Sequence, residues 1–242
     1  MAMDRADAPP RTVAMMPHPS PEHRRTRSSR VETLVKYARH HGFPSTLLLL
    51  VLHPLQRFGV LRLGGVYRSS TAHTGPGPVA TSQLEVRFLE EREINELAAG
   101  GTGWFFPGAV ARSLARGERC IAVIRDGSVV HSRWIAPGPL RQMGVDLEVP
   151  PNTLFVQRTF THPEARGTGL AAHAQWFAKV QLQREGIDWT IGIIDAVNAA
   201  SIAMSRKGGA TRVGWIVQIG PDSWGLSHLV RTSPHCPTAS TR

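Results

Sequence analysis

The stretch His162–His173, "HPEARGTGLAAH", places a proline, an arginine and two glycines directly before an apolar run with helical character. Glycine lets a backbone turn tightly and expose successive N–H groups. A helix that begins near Gly169 adds its unsatisfied N–H groups and the positive end of its dipole. With Arg166 beside it, the turn predicts an anion site that suits a pyrophosphate.

The residues on either side set this turn between a strand and a helix. The stretch "TLFVQRTFT" (153–161) predicts a strand, and the helix is expected from Leu170 to Glu185, with Gly186 as its stop. An ordinary turn also uses glycine, and this one lacks the lysine of a P-loop and the three spaced glycines of a dinucleotide fingerprint. The residues alone therefore leave a plain turn and an anion site open.

Residues 84–231 predict a regular series of strands and helices. Their order is β-α-α-β-β-β-α-β-α-β-β, which indicates the α/β class. Asp126-Gly127 joins two apolar runs and predicts a hairpin. We interpret residues 136–152 as a connection rich in proline and glycine, and residues 232–242 as a polar, frayed tail.

Two motifs in this region resemble one family. Arg166-Gly167-Thr168-Gly169-Leu170-Ala171 matches the pattern Arg/Gln-x-x-Gly-x-Gly/Ala, and "VNAASIAMSRKGGA" (197–210) matches a second segment through Asn198, Ser201, Lys207 and Gly209. In order and in element context they are similar to the GNAT superfamily of acyl-CoA-dependent N-acyltransferases. The resemblance covers roughly residues 84–231.

The resemblance implies a GNAT-like α/β fold with a mixed, mostly antiparallel central sheet and helices on both faces. The fourth and fifth strands of that fold separate, and acyl-CoA lies between them. It also implies acetyl-CoA or another acyl-CoA as cosubstrate, without a metal. The residues that it assigns to this cosubstrate are Phe160, Thr161, Arg166, Gly167, Thr168, Gly169, Leu170, Ala171 and Asn198.

The same resemblance implies direct attack of a primary amine on the thioester in a ternary complex, helped by a general base and an acid. Ser205 stands where many members carry an acidic tyrosine, when the segments are aligned on Lys207 and Gly209. Asp195 and His131, with His162 beside the turn, are further candidates. Because serine is a poor acid, a catalytically degenerate acyl-CoA-binding module stays as the alternative.

The N-terminal third carries most of the net charge of +10, since residues 1–75 hold eleven basic and four acidic residues. We expect a disordered, proline-rich basic arm over 1–28, a helical extension over 29–70 that includes a helix over about 30–41, and a linker over 71–83. The acyltransferase domain then spans 84–231 and the tail 232–242.

This basic, apolar extension raises the question of a partner. An acidic acyl-carrier protein as donor or an anionic membrane surface fits its charge, and packing on the main domain is the alternative. A specific nucleic-acid partner is not expected, because the arm lacks interleaved aromatic residues. The two cysteines have no disulfide or zinc spacing, and no signal peptide is visible, so the expected location is cytoplasmic, with peripheral membrane attachment as an option.

Overall fold

The structure is a computed structural model that describes residues 14–15, 50, 54–56, 58, 60–72, 77, 83–100, 105–220 and 225–239. Apart from residues 14–15, the predicted arm over 1–28 lies outside this set. The predicted helix over 30–41 and most of the predicted linker over 71–83 also lie outside it.

The described helices are α1 (Glu91–Ala99), α2 (Pro107–Ala115), α3 (Leu170–Arg184) and α4 (Ala199–Lys207), with a short 3₁₀ helix at Pro163–Ala165. The described strands are β1 (Ala14–Met15), β2 (Leu61–Ser70), β3 (Leu84–Phe88), β4 (Arg119–Arg125), β5 (Ser128–Ala136), β6 (Leu140–Gln142), β7 (Val145–Glu148), β8 (Thr153–Thr161), β9 (Trp189–Asp195), β10 (Thr211–Ile219), β11 (Leu226–Arg231) and β12 (Thr238–Ala239).

The chain divides into two compact units. The first comprises Met1–His18, Pro76–Trp134 and Arg158–Phe177, and the second comprises Pro19–Gly75, Ile135–Gln157 and Ala178–Arg242. Strands β5 and β8 and helix α3 therefore contribute residues to both units.

In the first unit the strands follow the order β8-β5-β4-β3, and β1 pairs in parallel with β5. Strands β3 and β4 are antiparallel, and the β4–β5 hairpin turns at Asp126 and Gly127, both with positive φ, as the sequence predicts. The core of this unit is apolar and includes Phe105 and Trp134, whose ring centroids lie 6.0 Å apart.

In the second unit the strand order is β11-β10-β2-β9-β8, with a separate three-stranded sheet of order β12-β7-β6. Pairs β10–β11, β10–β2 and β2–β9 are antiparallel, whereas β8 and β9 are parallel. The core of this unit includes Val66, Phe155 and Ile216, each almost fully buried. Strand pairing in the two units is thus mixed and mostly antiparallel, and the predicted α/β class with a mixed, mostly antiparallel sheet is confirmed.

The helical extension predicted over 29–70 is wrong for its last ten residues. Residues 61–70 form β2, which pairs with β9 from Gly64↔Asp195 to Ser70↔Trp189 and with β10 on its other side. The segment is therefore a central strand of the second unit, not an appendage before a domain that begins at residue 84. Its partner strands lie more than a hundred residues away in sequence, so no local sequence pattern predicts the pairing.

Two adjacent glycines, Gly64 and Gly65, make the sequence of β2 resemble a segment that interrupts a strand. A Cβ atom built at Gly64 would lie 2.7 Å from Met143 Sδ and 3.0 Å from Ile193 Cγ2. Glycine inside a strand often marks such a close approach.

Two further predictions need correction. Within residues 136–152, expected to be a plain connection, β6 and β7 form a hairpin around Met143 and Gly144, both with positive φ. The tail expected to be frayed over 232–242 contributes β12, which pairs with β7, and its Cys236 is buried in the core of the second unit. Alternation over three or four residues is too short to identify such strands in sequence.

Candidate functional site

The glycine turn lies in the first unit, between the end of β8 and the first residue of α3. The 3₁₀ helix Pro163–Ala165 follows β8, and Gly167 and Gly169 then adopt φ of +79° and +83°. These angles are strained for any residue with a side chain, which explains the glycines. A Cβ atom at either position would meet nothing within 4 Å, so the space in front of the turn is open among the described residues.

The turn also exposes hydrogen-bond donors. Among described residues, no carbonyl or side chain accepts a hydrogen bond from the N–H groups of Gly167 to Ala171, and the first α3 residue to donate backward is Ala172, to Gly169 O at 2.9 Å. The hydroxyl of Thr168 instead donates to Ala165 O at 2.7 Å, which braces the turn from within. Residues 166–169 are all exposed. Open N–H groups at the positive end of a helix dipole favour an anion.

Phe160 and Thr161, predicted to bind the pantetheine arm, form the last residues of β8 and are half-buried. The Thr161 hydroxyl is hydrogen-bonded to His131 Nδ1 at 2.8 Å, and Arg166 Nε donates to the Thr161 carbonyl at 3.3 Å. The next residue, His162, donates its N–H to Val130 O at 2.9 Å. The end of β8 is therefore fixed to β5 and to the start of the turn.

His131 was a candidate general base, but its surroundings do not favour that role. The side chain is fully buried, and burial, with a smaller contribution from Arg133, lowers its pKa to about 3. A base with so low a pKa takes up a proton poorly at neutral pH. The contact with Thr161 indicates that neutral His131 holds the end of β8. His162 is buried as well, at 1% exposure.

Asp195 and Asn198 lie in the second unit, where both organise the turn between β9 and α4. Asp195 Oδ1 accepts hydrogen bonds from Val197 N at 3.1 Å and from Gln56 Nε2 at 3.0 Å. Asn198 is the N-cap of α4, and its side-chain oxygen accepts from Ser201 N at 3.1 Å. These contacts give both residues a structural role, so the match of Asn198 to the family segment needs no cosubstrate to explain it.

Ser205 lies on α4 and is half-buried, and its carbonyl accepts from Ala210 N at 3.0 Å. Lys207 ends the helix and is exposed, and Gly209 has a φ of +81°. The segment after β9 is therefore a helix, as predicted, and the structure adds that Asn198 is its N-cap. Among the described residues no acceptor or donor marks the Ser205 hydroxyl as an acid.

One ion pair in the first unit was not predicted from the sequence. Arg158, inside β8, bonds through its guanidinium to the carboxylate of Glu118, which has no exposed side-chain surface, and Arg116 bonds to the same carboxylate. Arg158 also lies over the Trp134 ring, 4.3 Å from its centroid. The only signal available in the sequence is an arginine within an otherwise apolar and neutral strand, and such a residue does not reveal its partner.

The pairing of β8 with β9 is short. It runs from Thr153↔Trp189 to Val156↔Gly192, and residues of β8 beyond Val156 form no pairs with β9.

Two features are absent from the described residues. These residues contain no group of three or more His, Cys, Asp or Glu side chains that could hold a metal ion. They also contain no helix of the length and hydropathy that a membrane crossing requires.

Comparison with known proteins gives fold similarities only. No family profile matches the chain, and no curated protein sequence matches it. A GCN5-related N-acetyltransferase from Sphaerobacter thermophilus is 14% identical, with a TM-score of 0.47 over 76% of this chain and 57% of its own. A GNAT-family acetyltransferase from Novosphingobium aromaticivorans DSM 12444 is 16% identical, with a TM-score of 0.46 over 72% of this chain and 66% of its own.

A third solved structure, AAC(6')-Iy, holds a bisubstrate analog, CoA-S-monomethyl-acetylneamine. It is 14% identical, with a TM-score of 0.41 over 53% of this chain and 90% of its own. The chain also spans less than two thirds of the length of the first two.

Proposed function

We propose that this chain is an N-acyltransferase that moves an acyl group, acetyl in the first instance, from acyl-CoA to a primary amine. The observation that carries the proposal is the turn over 166–171, with its open N–H groups, two left-handed glycines and an exposed arginine. A pyrophosphate is an anion of suitable size and charge for such a turn. The similarity to acetyltransferase folds agrees with this assignment.

The donor half of the reaction has support from the chain's own residues. The pyrophosphate would accept hydrogen bonds from the N–H groups of Gly167 to Ala171, and Arg166 would add its charge. The backbone of Thr159 to Thr161 continues from the end of the β8–β9 ladder and would bond to the pantetheine amides. Holding the thioester in place supplies proximity, the main element of catalysis by direct transfer.

The amine-acceptor half of the reaction is supported by fewer contacts than the donor half. With its pKa lowered to about 3, His131 is not the base, and the Asp195 carboxylate already accepts two hydrogen bonds. Ser205 stays as the proposed proton donor to the leaving thiolate, with Asp195 as the remaining proposed base. Because serine is a poor acid and the Asp195 carboxylate is already hydrogen-bonded, a module that binds acyl-CoA without turnover is the second candidate.

The experiment that tests the proposal combines binding and turnover. The full chain is titrated with acetyl-CoA and longer acyl-CoAs by calorimetry, and free thiol is followed after a panel of primary amines is added. Release that depends on both donor and amine supports the enzyme. Binding without release under every amine supports the module, and the absence of binding contradicts both.

A thiol assay is practical here because both cysteines of the chain are free and buried. Burial raises the pKa of each thiol, so neither is readily present as the reactive thiolate. Free cysteines also fit a cytoplasmic location, which forms part of the proposal. A carrier-protein donor or a membrane surface remains a proposal for residues 1–60, since the adjoining segment 61–70 has its own place in the sheet.

A further inference from the structure

Arg158 adopts a backbone conformation that is unusual inside a strand. Its φ is +45°, and the other described non-glycine residues with positive φ, Asp126 and Met143, lie in hairpin turns next to a glycine. Such a conformation costs about 1–3 kcal/mol and persists where surrounding contacts impose it. It also lies two residues beyond Val156, the last residue of β8 that pairs with β9.

The contacts that impose this conformation come from the side chain. The guanidinium of Arg158 bonds to the Glu118 carboxylate, forty residues earlier, and lies over the Trp134 ring at 4.3 Å. The Glu118 side chain is 0% exposed and that of Arg158 is 23% exposed. A buried carboxylate without a cation is strongly unfavourable, so Glu118 holds Arg158 in place. Arg116, the other partner of Glu118, is 53% exposed and less constrained.

A second set of contacts fixes β8 three residues later. Thr161 is hydrogen-bonded through its hydroxyl to His131, and His162 donates its N–H to Val130 O. Thr159 and Phe160 thus lie between two anchored points. Together with the pairing of β8 with β5, these two anchors restrict the displacement of their backbone groups.

We propose that the Glu118–Arg158 pair is a positioning device that sets the backbone of Thr159–Thr161 for the pantetheine arm of acyl-CoA. This inference rests on the proposed function and extends it to residues that never touch the donor. Arg158 turns the backbone of β8 at its positive φ, and Glu118 holds the Arg158 side chain that imposes this turn. The pyrophosphate turn over 166–171 keeps its own geometry, because the anchor at Thr161 and His162 stands between the two.

The test compares two ligands that differ by the pantetheine arm. Acetyl-CoA carries both the pantetheine arm and the pyrophosphate, whereas 3′-phosphoadenosine 5′-diphosphate carries the same nucleotide and pyrophosphate without the arm. In the full chain, Arg158→Ala should weaken acetyl-CoA binding about tenfold or more and change the affinity of the shorter ligand less than about twofold. Arg158→Gly should behave like the alanine variant, since it relieves the backbone strain but also removes the contact with Glu118.

Two further variants serve as a control and as a conservative replacement. Arg116→Ala is the matched control, because it removes the exposed partner of the same carboxylate; it should leave both affinities within about twofold. Arg158→Lys keeps the charge but loses the planar fork and the stacking on Trp134, and a partial loss of about threefold for acetyl-CoA is expected. If the alanine variant does not fold, as judged by its melting transition, the lysine variant carries the test.

Equal weakening of both ligands overturns the proposal, because it means that the pair only stabilises the unit. Unchanged acetyl-CoA binding in Arg158→Ala and Arg158→Gly overturns it as well. If the wild-type chain binds the shorter ligand as tightly as acetyl-CoA, the arm is not held and this inference alone fails. If the wild type binds neither ligand, the proposed function fails and this inference fails with it.

Discussion

Two of the described turns that lead from a strand into a helix, those before α3 and α4, differ in how their N–H groups are bonded. At the start of α4, Asp195 accepts from Val197 N and Asn198 accepts from Ser201 N, so side chains of the chain itself take up the donors. At the start of α3, no described side chain does this, and the N–H groups of Gly167 to Ala171 stay open. One helix start is capped from within, and the other can accept an anion from outside.

The difference between the two helix starts shows which of the two motif matches indicates a bound cosubstrate. Both segments agree with the superfamily pattern, but capping alone explains Asn198, since asparagine is among the preferred N-cap residues. The positive φ of Gly167 and Gly169 explains the glycines, as it does at Gly127, and what distinguishes this turn is that its N–H groups have no described acceptor. The cosubstrate assignment is therefore stronger for residues 166–171 than for Asn198.

The largest effect is expected from a charge placed at the open helix start. Gly169→Asp adds a side chain at φ +83° and a carboxylate beside the pyrophosphate, and it should weaken CoA binding about a hundredfold or more, ~2.7 kcal/mol. Gly127→Asp is the matched control, because that glycine has a φ of +74°, also with nothing within 4 Å, in the β4–β5 hairpin. Calorimetry should give the control an affinity like that of the wild type, and equal loss in both would make the turn an ordinary one.

A pH effect is expected from the anchor that precedes the open turn. The folded pKa of His131, about 3, lies below the unfolded value near 6.5, so the unfolded state binds more protons between these values. Its contribution to stability is complete above the unfolded pKa and is lost as the pH falls toward the folded one, by about 2 kcal/mol between pH 7 and pH 5.

Denaturant unfolding at the two pH values measures this loss. His131→Asn, which keeps a polar group near Thr161 but does not titrate, should show a pH dependence smaller by that amount. A variant that loses stability with pH as the wild type does would mean that His131 is accessible to protons in the folded state.

Arg166 should have a moderate effect at the same helix start. Its side chain is exposed and its Nε bond to the Thr161 carbonyl is long, so Arg166→Ala should fold normally and weaken CoA binding about tenfold. Arg206→Ala, at an exposed position in the last turn of α4, is the control for general loss of positive charge. Raising the salt concentration should reduce the difference in CoA affinity between the two variants. An equal loss of CoA affinity in both variants would mean that Arg166 makes no specific contact with CoA.

The smallest effect on binding is expected at the capped helix start. Asn198→Ala should lower the free energy of unfolding by about 1 kcal/mol, because Ser201 N loses its acceptor, while CoA affinity changes less than about twofold. Asn198→Asp keeps the cap and should restore the stability. If the alanine variant folds as stably as the wild type but no longer binds CoA, the capping interpretation is wrong and Asn198 contacts the cosubstrate.

The sequence predicted the elements from residue 84 to 231 well where local pattern and tertiary structure agree. The Asp126-Gly127 hairpin, the helix after Gly169 and the capped segment at Asn198 all have strong local signals. Strand β2 has none, because its Gly64 serves close packing against the distant Met143 and Ile193. The same holds for β12, which depends on its pairing with β7.

The candidate site divides in the same way. Backbone requirements such as the left-handed glycines are visible in sequence, since only certain residues tolerate them. The state of His131 and the pairing of Glu118 with Arg158 depend on burial and on contacts between distant segments. Such properties arise only when the chain is folded, and no spacing rule announces them.

The most direct test of the central claim is an amide spectrum of the labelled protein during titration with CoA. Both helix starts report in the same spectrum, so each controls for the other. The N–H signals of Gly167 to Ala171 should shift downfield as they donate to the pyrophosphate, while those of Val197 and Ser201, already bonded to Asp195 and Asn198, should move little. Saturating CoA that leaves the signals of residues 167–171 in place would contradict the account.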